Sequence, residues 1–261
     1  MEFIEFTIYF SVGIIAAILG ALMGVGGGFL MVPIFVFMGF TKDYAPVLSL
    51  FVIIFVALSA SIKYGRQKLI NYRLGLLYTP FSILGAFLGA YLLHLMSNLV
   101  FKIIFSSLIV FIGIWLILKK DTKTDEFLNK VQTDTSEERW LYYWVVLWGF
   151  VTGTTASFVG IGGGLIAVPV LHLFFLETMH IAIATSLFVM IFTASFATLQ
   201  NYFLGYFDSN IALIGLIIAI GAMIGSQIGS YIQIHLKGRT LQIIFGGFMG
   251  AIAMPLLWLG P

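Results

Sequence analysis

Long apolar runs that keep acidic residues out of their middles leave this chain few ways to fold. Of its 11 acids, Glu2, Glu5, Asp121, Asp125, Glu126, Asp134, Glu137 and Glu138 lie outside the runs, and Asp43, Glu177 and Asp208 lie at their ends. Runs of about 20 apolar residues fit helices that cross the hydrocarbon of a bilayer, whereas a barrel strand would alternate over about 10. The chain is 61% hydrophobic and 9% charged, where soluble domains carry roughly 25% charged residues. The expected fold is an all-α integral membrane protein, multi-pass, with the lipid bilayer as its surroundings.

Two of the runs are broken in the same way. Gly24-Val25-Gly26-Gly27-Gly28 is followed five residues on by Pro33, and Gly160-Ile161-Gly162-Gly163-Gly164 by Pro169; both separations are 136. Ser49-Leu50-Phe51-Val52 returns as Ser186-Leu187-Phe188-Val189 at 137, so one residue is inserted after the second glycine run. Gly85-Ala86 and Gly89 fall opposite Gly221-Ala222 and Gly225, back at 136. One unit has been used twice. Repeats with glycine interruptions in corresponding segments point to the binding site of a transporter.

The order of segments follows. About Phe3 to Met23 spans, and the N-terminus has acids where a signal peptide would be basic, so this segment is expected to be retained. Phe29 to Met38 is about half a crossing in length and must tilt, kink at Pro33, or return to the side it came from. Spans near Ala45 to Lys63, Arg73 to His94 and Val100 to Leu118 complete a first repeat over residues 1–118. A charged linker over 119–139 leads to a second repeat over 140–261: about Trp140 to Val159, the short Leu165 to Leu176, then Ile181 to Asn201, Ile211 to Gln233 and Leu241 to Leu259. Five hydrophobic segments in each half, an odd number, give two repeats of inverted topology.

Basic residues supply the check, because short cytoplasmic connections collect Lys and Arg. If the short segments count as crossings and the N-terminus is outside, then Lys63, Arg66, Lys68, Arg73, the linker bases, Lys237 and Arg239 are all inside, with Lys42 and Lys102 outside. A parallel repeat would put Leu204 to Asp208 inside, and that stretch has no base. Inversion is the better reading, with both termini outside.

Chemistry is expected at the glycine breaks. Glycines leave backbone amides open to approach, and a helix restarting at Phe29 or Leu165 offers unpaired N–H groups and the positive end of its dipole to an anion. The candidate substrate-binding residues are Gly26, Gly27, Gly28 and Phe29 in one half and Gly162, Gly163, Gly164 and Leu165 in the other, completed by the hydroxyls of Ser49, Thr185 and Ser186. Close packing of helices is the competing use for these glycines. No Gly-Lys-Ser/Thr follows the first run, so it is not a nucleotide loop.

The paired Gly-x-Gly-Gly-Gly runs with Pro33 and Pro169, the Ser-Leu starts at Ser49-Leu50 and Ser186-Leu187, and the basic loop between halves of the bundle resemble the sulfite exporter family TauE/SafE over nearly the whole chain. The resemblance implies a secondary transporter, of exporting kind, for sulfite, organosulfonates or related small anions in the cytoplasmic membrane. Other small anions such as carboxylates, or an anion channel, are the alternatives. The residues agree on charge sign, since a cation site in lipid ordinarily wants a carboxylate and the spans offer none.

The remaining polar residues divide between pathway and packing. Ser59 and Ser61 align with Phe196 and Thr198, and Tyr64 with Asn201 at 137; Lys63 and Tyr64 suit the interface, as do Trp140, Trp144, Trp148 and Trp258. Gln200 and Asn201 stay open. His172, ionisable within an apolar run, is either a proton relay or a neutral ring bonded to a neighbouring helix. Gly85-x-x-x-Gly89 and Gly221-x-x-x-Gly225-x-x-x-Gly229 suit close helix contacts, and a homodimer through them stays open. No cysteine, no His-Glu-x-x-His and no histidine near Ser157 are present, so no enzyme, metal, cofactor or nucleic-acid partner is expected. With little machinery for coupling, an anion would leave along an inside-negative potential.

Overall fold

The computed structural model describes residues 3–40, 44–95 and 135–247. The expected span Val100 to Leu118, the linker over 119–134 and the last segment beyond residue 247 lie outside the described residues.

Among the described residues every regular element is a helix. They are α1 (Phe3–Met23), α2 (Gly28–Phe37), α3 (Tyr44–Arg66), α4 (Tyr72–Leu95), α5 (Thr135–Val159), α6 (Gly164–Leu173), α7 (Met179–Phe203) and α8 (Ser209–His235), followed by a helical stretch over 238–247. Five of them, α1, α3, α4, α7 and α8, are long and apolar enough to cross a membrane. α5 begins at Thr135, ahead of the apolar run. Side-chain caps start three others. Asn71 Oδ1 accepts from Leu74 N–H at 3.1 Å, Thr178 Oγ1 from Ile181 N–H at 3.3 Å, and Asp208 Oδ1 from Ile211 N–H at 2.8 Å.

The two short helices turn back. Phe40, just past α2, meets the ring of Tyr9 near the start of α1 at 6.5 Å between centroids. Phe174, just past α6, packs its ring at a tilt against Trp148 and Trp144 of α5 at 4.7 and 5.7 Å between centroids. Each glycine run is thus the tip of a helical hairpin whose second arm returns toward the end where the first began. Counting each short segment as a crossing already requires this return, and a re-entrant arm returns likewise. The side assigned to every later loop is unchanged, because a hairpin and a pair of crossings differ by an even number. Trp144 and Trp148, expected as interfacial anchors, also close the second hairpin.

α3 and α7 form the middle of the bundle and pack on each other. α1 lies along α8, and α4 along α5. A Cβ on Gly221, Gly225 or Gly229 would strike the carbonyls of Phe10, Ile14 and Ile18 in turn, and one on Gly85 or Gly89 those of Phe150 and Thr154. Residue numbers rise together in both pairs, so α1 runs parallel to α8 and α4 to α5. Both glycine stripes are consumed within the chain by backbones that approach closely. Outside, Phe87, Tyr91, Leu213 and Ile220 are more than half exposed, an apolar surface suited to lipid.

Candidate functional site

The glycine runs have one geometry in two copies. Gly24, Gly26 and Gly27 have φ of 74, 75 and 84°, and Gly160, Gly162 and Gly163 have 73, 74 and 85°. This is the left-handed region, which glycine enters freely. Val25 and Gly26 N–H both close onto Gly20 O, at 2.9 and 3.1 Å. Gly27 and Gly163 stand at the N-caps of α2 and α6. Gly27 O accepts from Leu30 and Met31 N–H, and Gly163 O from Ile166 and Ala167 N–H, all at 3.0–3.1 Å. Gly28 and Gly164 open the helices, and an N–H at that position has no carbonyl one helical turn back.

The two runs lie against each other. A Cβ on Gly28 would come within 2.9 Å of Gly160 O and Ile161 Cα, and one on Gly164 within 2.6 Å of Val25 Cα. Ser186 Oγ on α7 donates to Gly24 O at 2.6 Å, and Ser49 Oγ on α3 donates to Gly160 O at 2.8 Å. Each hydroxyl therefore satisfies the last carbonyls of the opposite hairpin's first arm. In this arrangement Ser49 and Ser186 support the glycine turns, their protons committed to carbonyls. Of the residues named from sequence, all eight in and beside the glycine runs and these two serines come together.

Thr185 does not join them. Its Oγ1 accepts from Asn71 N–H at 3.0 Å, at the start of α4. His172 is also elsewhere, between the Glu177 carbonyl on Nδ1 and Gln242 Nε2 on Nε2, both at 2.7 Å. A carbonyl only accepts and an amide NH2 only donates, so Nδ1 carries the proton and the ring is neutral. The ring thus bonds the neighbouring 238–247 stretch through Gln242.

Sequence reasoning passed over Ile53 and Met190. They are 137 apart, both fully buried or nearly so, at the middles of α3 and α7. A Cβ on Gly26 would meet Met190 Cε at 2.6 Å and Ile53 Cγ2 at 3.0 Å, and one on Gly162 meets the same two atoms at 2.5 and 3.1 Å. The pair thus roofs both turns. The repeat offset alone could have found them.

Tyr64 was also misjudged. It is wholly buried, and its hydroxyl donates to Ala21 O at 2.9 Å, a carbonyl that the end of α1 leaves over. Its repeat partner Asn201 bonds its own helix at Ala197 O, 2.8 Å. Gln200 Nε2 reaches Phe87 O at 3.2 Å. Ser59 takes Gln227 Nε2 on α8 at 2.8 Å, and Lys63 lies 4.8 Å over the Tyr231 ring. Ser61 and Thr198, equivalent places in the two halves, are buried with hydroxyls that meet no partner among the described residues.

Comparison with known proteins bears on the glycine-centred arrangement. The sulfite exporter TauE/SafE family matches residues 9–256. The chain belongs to that family. It is 28% identical to the probable membrane transporter protein YunE of Bacillus subtilis over 98% of both chains. It is 27% identical to a probable membrane transporter protein of Methanocaldococcus jannaschii, over 94% of this chain and 93% of that one. No solved structure matches. As a member of this family the chain is a multi-pass transmembrane transporter.

Proposed function

We propose that the facing glycine turns hold a small anion between two inverted halves, and that the protein exports sulfite, organosulfonates or similar sulfur-containing anions across the cytoplasmic membrane. The observation that carries the reading is the juxtaposition of two left-handed glycine caps, each opening a helix, at the middle of a bundle whose described spans carry no acidic residue in their middles. Amide dipoles then provide the positive potential that an anion needs, and nothing there favours a cation.

The pairing of helices fits a two-fold repeat, since α1 of the first half lies along α8 of the second as α5 lies along α4. Lys63, Arg66, Lys68, Arg73, Lys237 and Arg239 border the connections at one end, which the positive-inside rule assigns to the cytoplasm. Because the chain has no cysteine, single cysteines at Gln67 and Ser209 give a clean test. They should label from opposite sides of the membrane, and labelling from one side rules inversion out.

Transport itself is tested by counterflow in proteoliposomes with labelled sulfite and an alkylsulfonate. Exchange of labelled for unlabelled anion is expected of a carrier, whereas a channel equilibrates without it. An imposed inside-negative potential should accelerate efflux, since it contributes about 2.3 kcal/mol per charge per 100 mV. Efflux that ignores the potential and follows a pH gradient lost in His172→Ala would instead make the histidine a relay.

A further inference from the structure

The turn after α6 carries a carboxyl group that the glycine site does not use. Leu176 has φ 56° there, a conformation that residues with a side chain seldom adopt. Such a turn persists because its surroundings fix it. His172 Nδ1–H donates to Glu177 O at 2.7 Å, and Glu177 N–H donates to Leu171 O at 3.1 Å. Behind the histidine, Gln242 Nε2 donates to its Nε2 at 2.7 Å, and Gln242 Oε1 accepts from Arg239 at 2.8 Å.

With its backbone held, Glu177 extends its carboxyl to α4. Asn71 Nδ2 donates to Glu177 Oε1 at 2.6 Å. Asn71 caps α4 through Leu74 N–H and gives its own N–H to Thr185 on α7. One half-buried carboxyl therefore joins the end of the α5–α6 hairpin to α4 and, through Asn71, to α7.

The groups around it are mostly neutral. They are His172 from α6, Asn71 from α4 and Thr185 from α7, with Arg239 of the 238–247 stretch reaching Gln242 and His180 of α7 directing Nε2 to Leu236 O at 2.9 Å. A carboxylate half removed from water and met by an amide loses more hydration than a neutral donor returns. The closed arrangement thus favours the protonated form. Burial accordingly holds the Glu177 carboxyl above its ordinary range, with the Asn71 bond acting the other way.

We infer that Glu177 is a proton-binding latch: protonated, it ties the α6 turn to α4 and α7, and ionised, it lets that end of the bundle open. The closed form binds the proton more tightly than the open one. The latch is fully held below the open-form pKa and is lost as pH rises through the closed-form value. None of this depends on which anion is carried.

The test is hydrogen exchange of residues 69–76 and 174–180 in the full chain in lipid nanodiscs, corrected for the intrinsic effect of pH on exchange. Protection in the wild type should fall as pH rises, by up to about tenfold for each unit separating the two pKa values. Glu177→Gln keeps an acceptor for Asn71 and removes the charge, so its protection should be high and flat. Glu177→Asp, which still titrates, should keep the slope at lower protection, and it serves if the glutamine variant does not fold. Flat protection in the wild type, or a slope that survives in Glu177→Gln, overturns the latch.

Discussion

The two halves agree at their buried glycine turns and differ at their outer ones. Gly27 and Gly163 differ by one degree in φ. At the turn that follows the short helix, Gly39 has φ 93° and its counterpart Leu176 has 56°; after the next span, Gly205 has 83° and its counterpart Lys68 has 57°. α2 and α6 are both ten residues long and stay in the 136 register, whereas Gly39 and Leu176 are 137 apart. The inserted residue of the second half thus falls in the turn after α6. The buried turns must be glycine in both halves because neighbours crowd them. A Cβ at Gly39 or Gly205 would meet nothing within 4 Å, so there only φ is at stake, and a few bonds can offset that cost. The end of the bundle that carries the bases uses side-chain-bearing residues at both such turns, and one of these turns holds Glu177.

The strongest break in the agreement should come from the buried turns. Gly27→Val and Gly163→Val should each abolish transport while membrane abundance stays near wild type, measured by counterflow per molecule of protein. Normal transport per molecule with collapsed abundance would mean that the glycines serve packing alone. The alanine variants sharpen the comparison. Both bear the left-handed cost of about 1–2 kcal/mol, but a Cβ on Gly27 lies 2.6 Å from the Ala16 carbonyl, whereas one on Gly163 meets Ala156 Cβ and Thr152 Cγ2 at 3.0 Å. Gly27→Ala should therefore melt lower than Gly163→Ala in detergent.

The roof of the turns comes next in size. Ile53→Ala and Met190→Ala each open a cavity over both runs and should cost about 2–5 kcal/mol, with similar losses in melting temperature if the halves share the site evenly. Met190→Leu, which conserves volume, should cost less than about 1.5 kcal/mol. A large loss at one position and none at the other would mean that only one half packs on the turns.

Which parts were legible in the sequence follows from how local their causes are. Apolar length gave the spans, because a helix satisfies its own backbone. Glycine at alternate and adjacent positions gave the turns, because positive φ is a property of single residues. The return of α2 and α6 needs Phe40 on Tyr9 and Phe174 on Trp148, contacts that no periodicity encodes. The serines were found by their repeat offset, but their partners lie in the opposite half, 111 and 162 residues away. Tyr64 looked interfacial because it sits near the end of a span, and only the ended helix α1 beside it explains a buried hydroxyl. Glu177 was counted as the end of a segment, which is true of its place and silent on Asn71.

The smallest predicted effects lie at the exposed turns, and there the signs should oppose. Gly39→Ala and Gly205→Ala enter open space and should each cost about 1 kcal/mol, from φ alone. Lys68 is exposed, and its N–H closes the turn onto Gly65 O at 3.0 Å while Leu69 N–H reaches Tyr64 O at 3.0 Å. Glycine can make both backbone bonds, so Lys68→Gly loses no closure and sheds the left-handed strain. Part of that gain returns as the greater freedom of glycine in the unfolded chain, leaving a net stabilisation below about 1 kcal/mol. Leu176 is half-buried, so Leu176→Gly forfeits apolar contact as well and should gain less than Lys68→Gly. Melting temperatures of the four variants in one detergent decide the matter. If Lys68→Gly is destabilising, the turn is held by its lysine side chain and not merely tolerated by its backbone, and the contrast between the two ends of the bundle needs another cause.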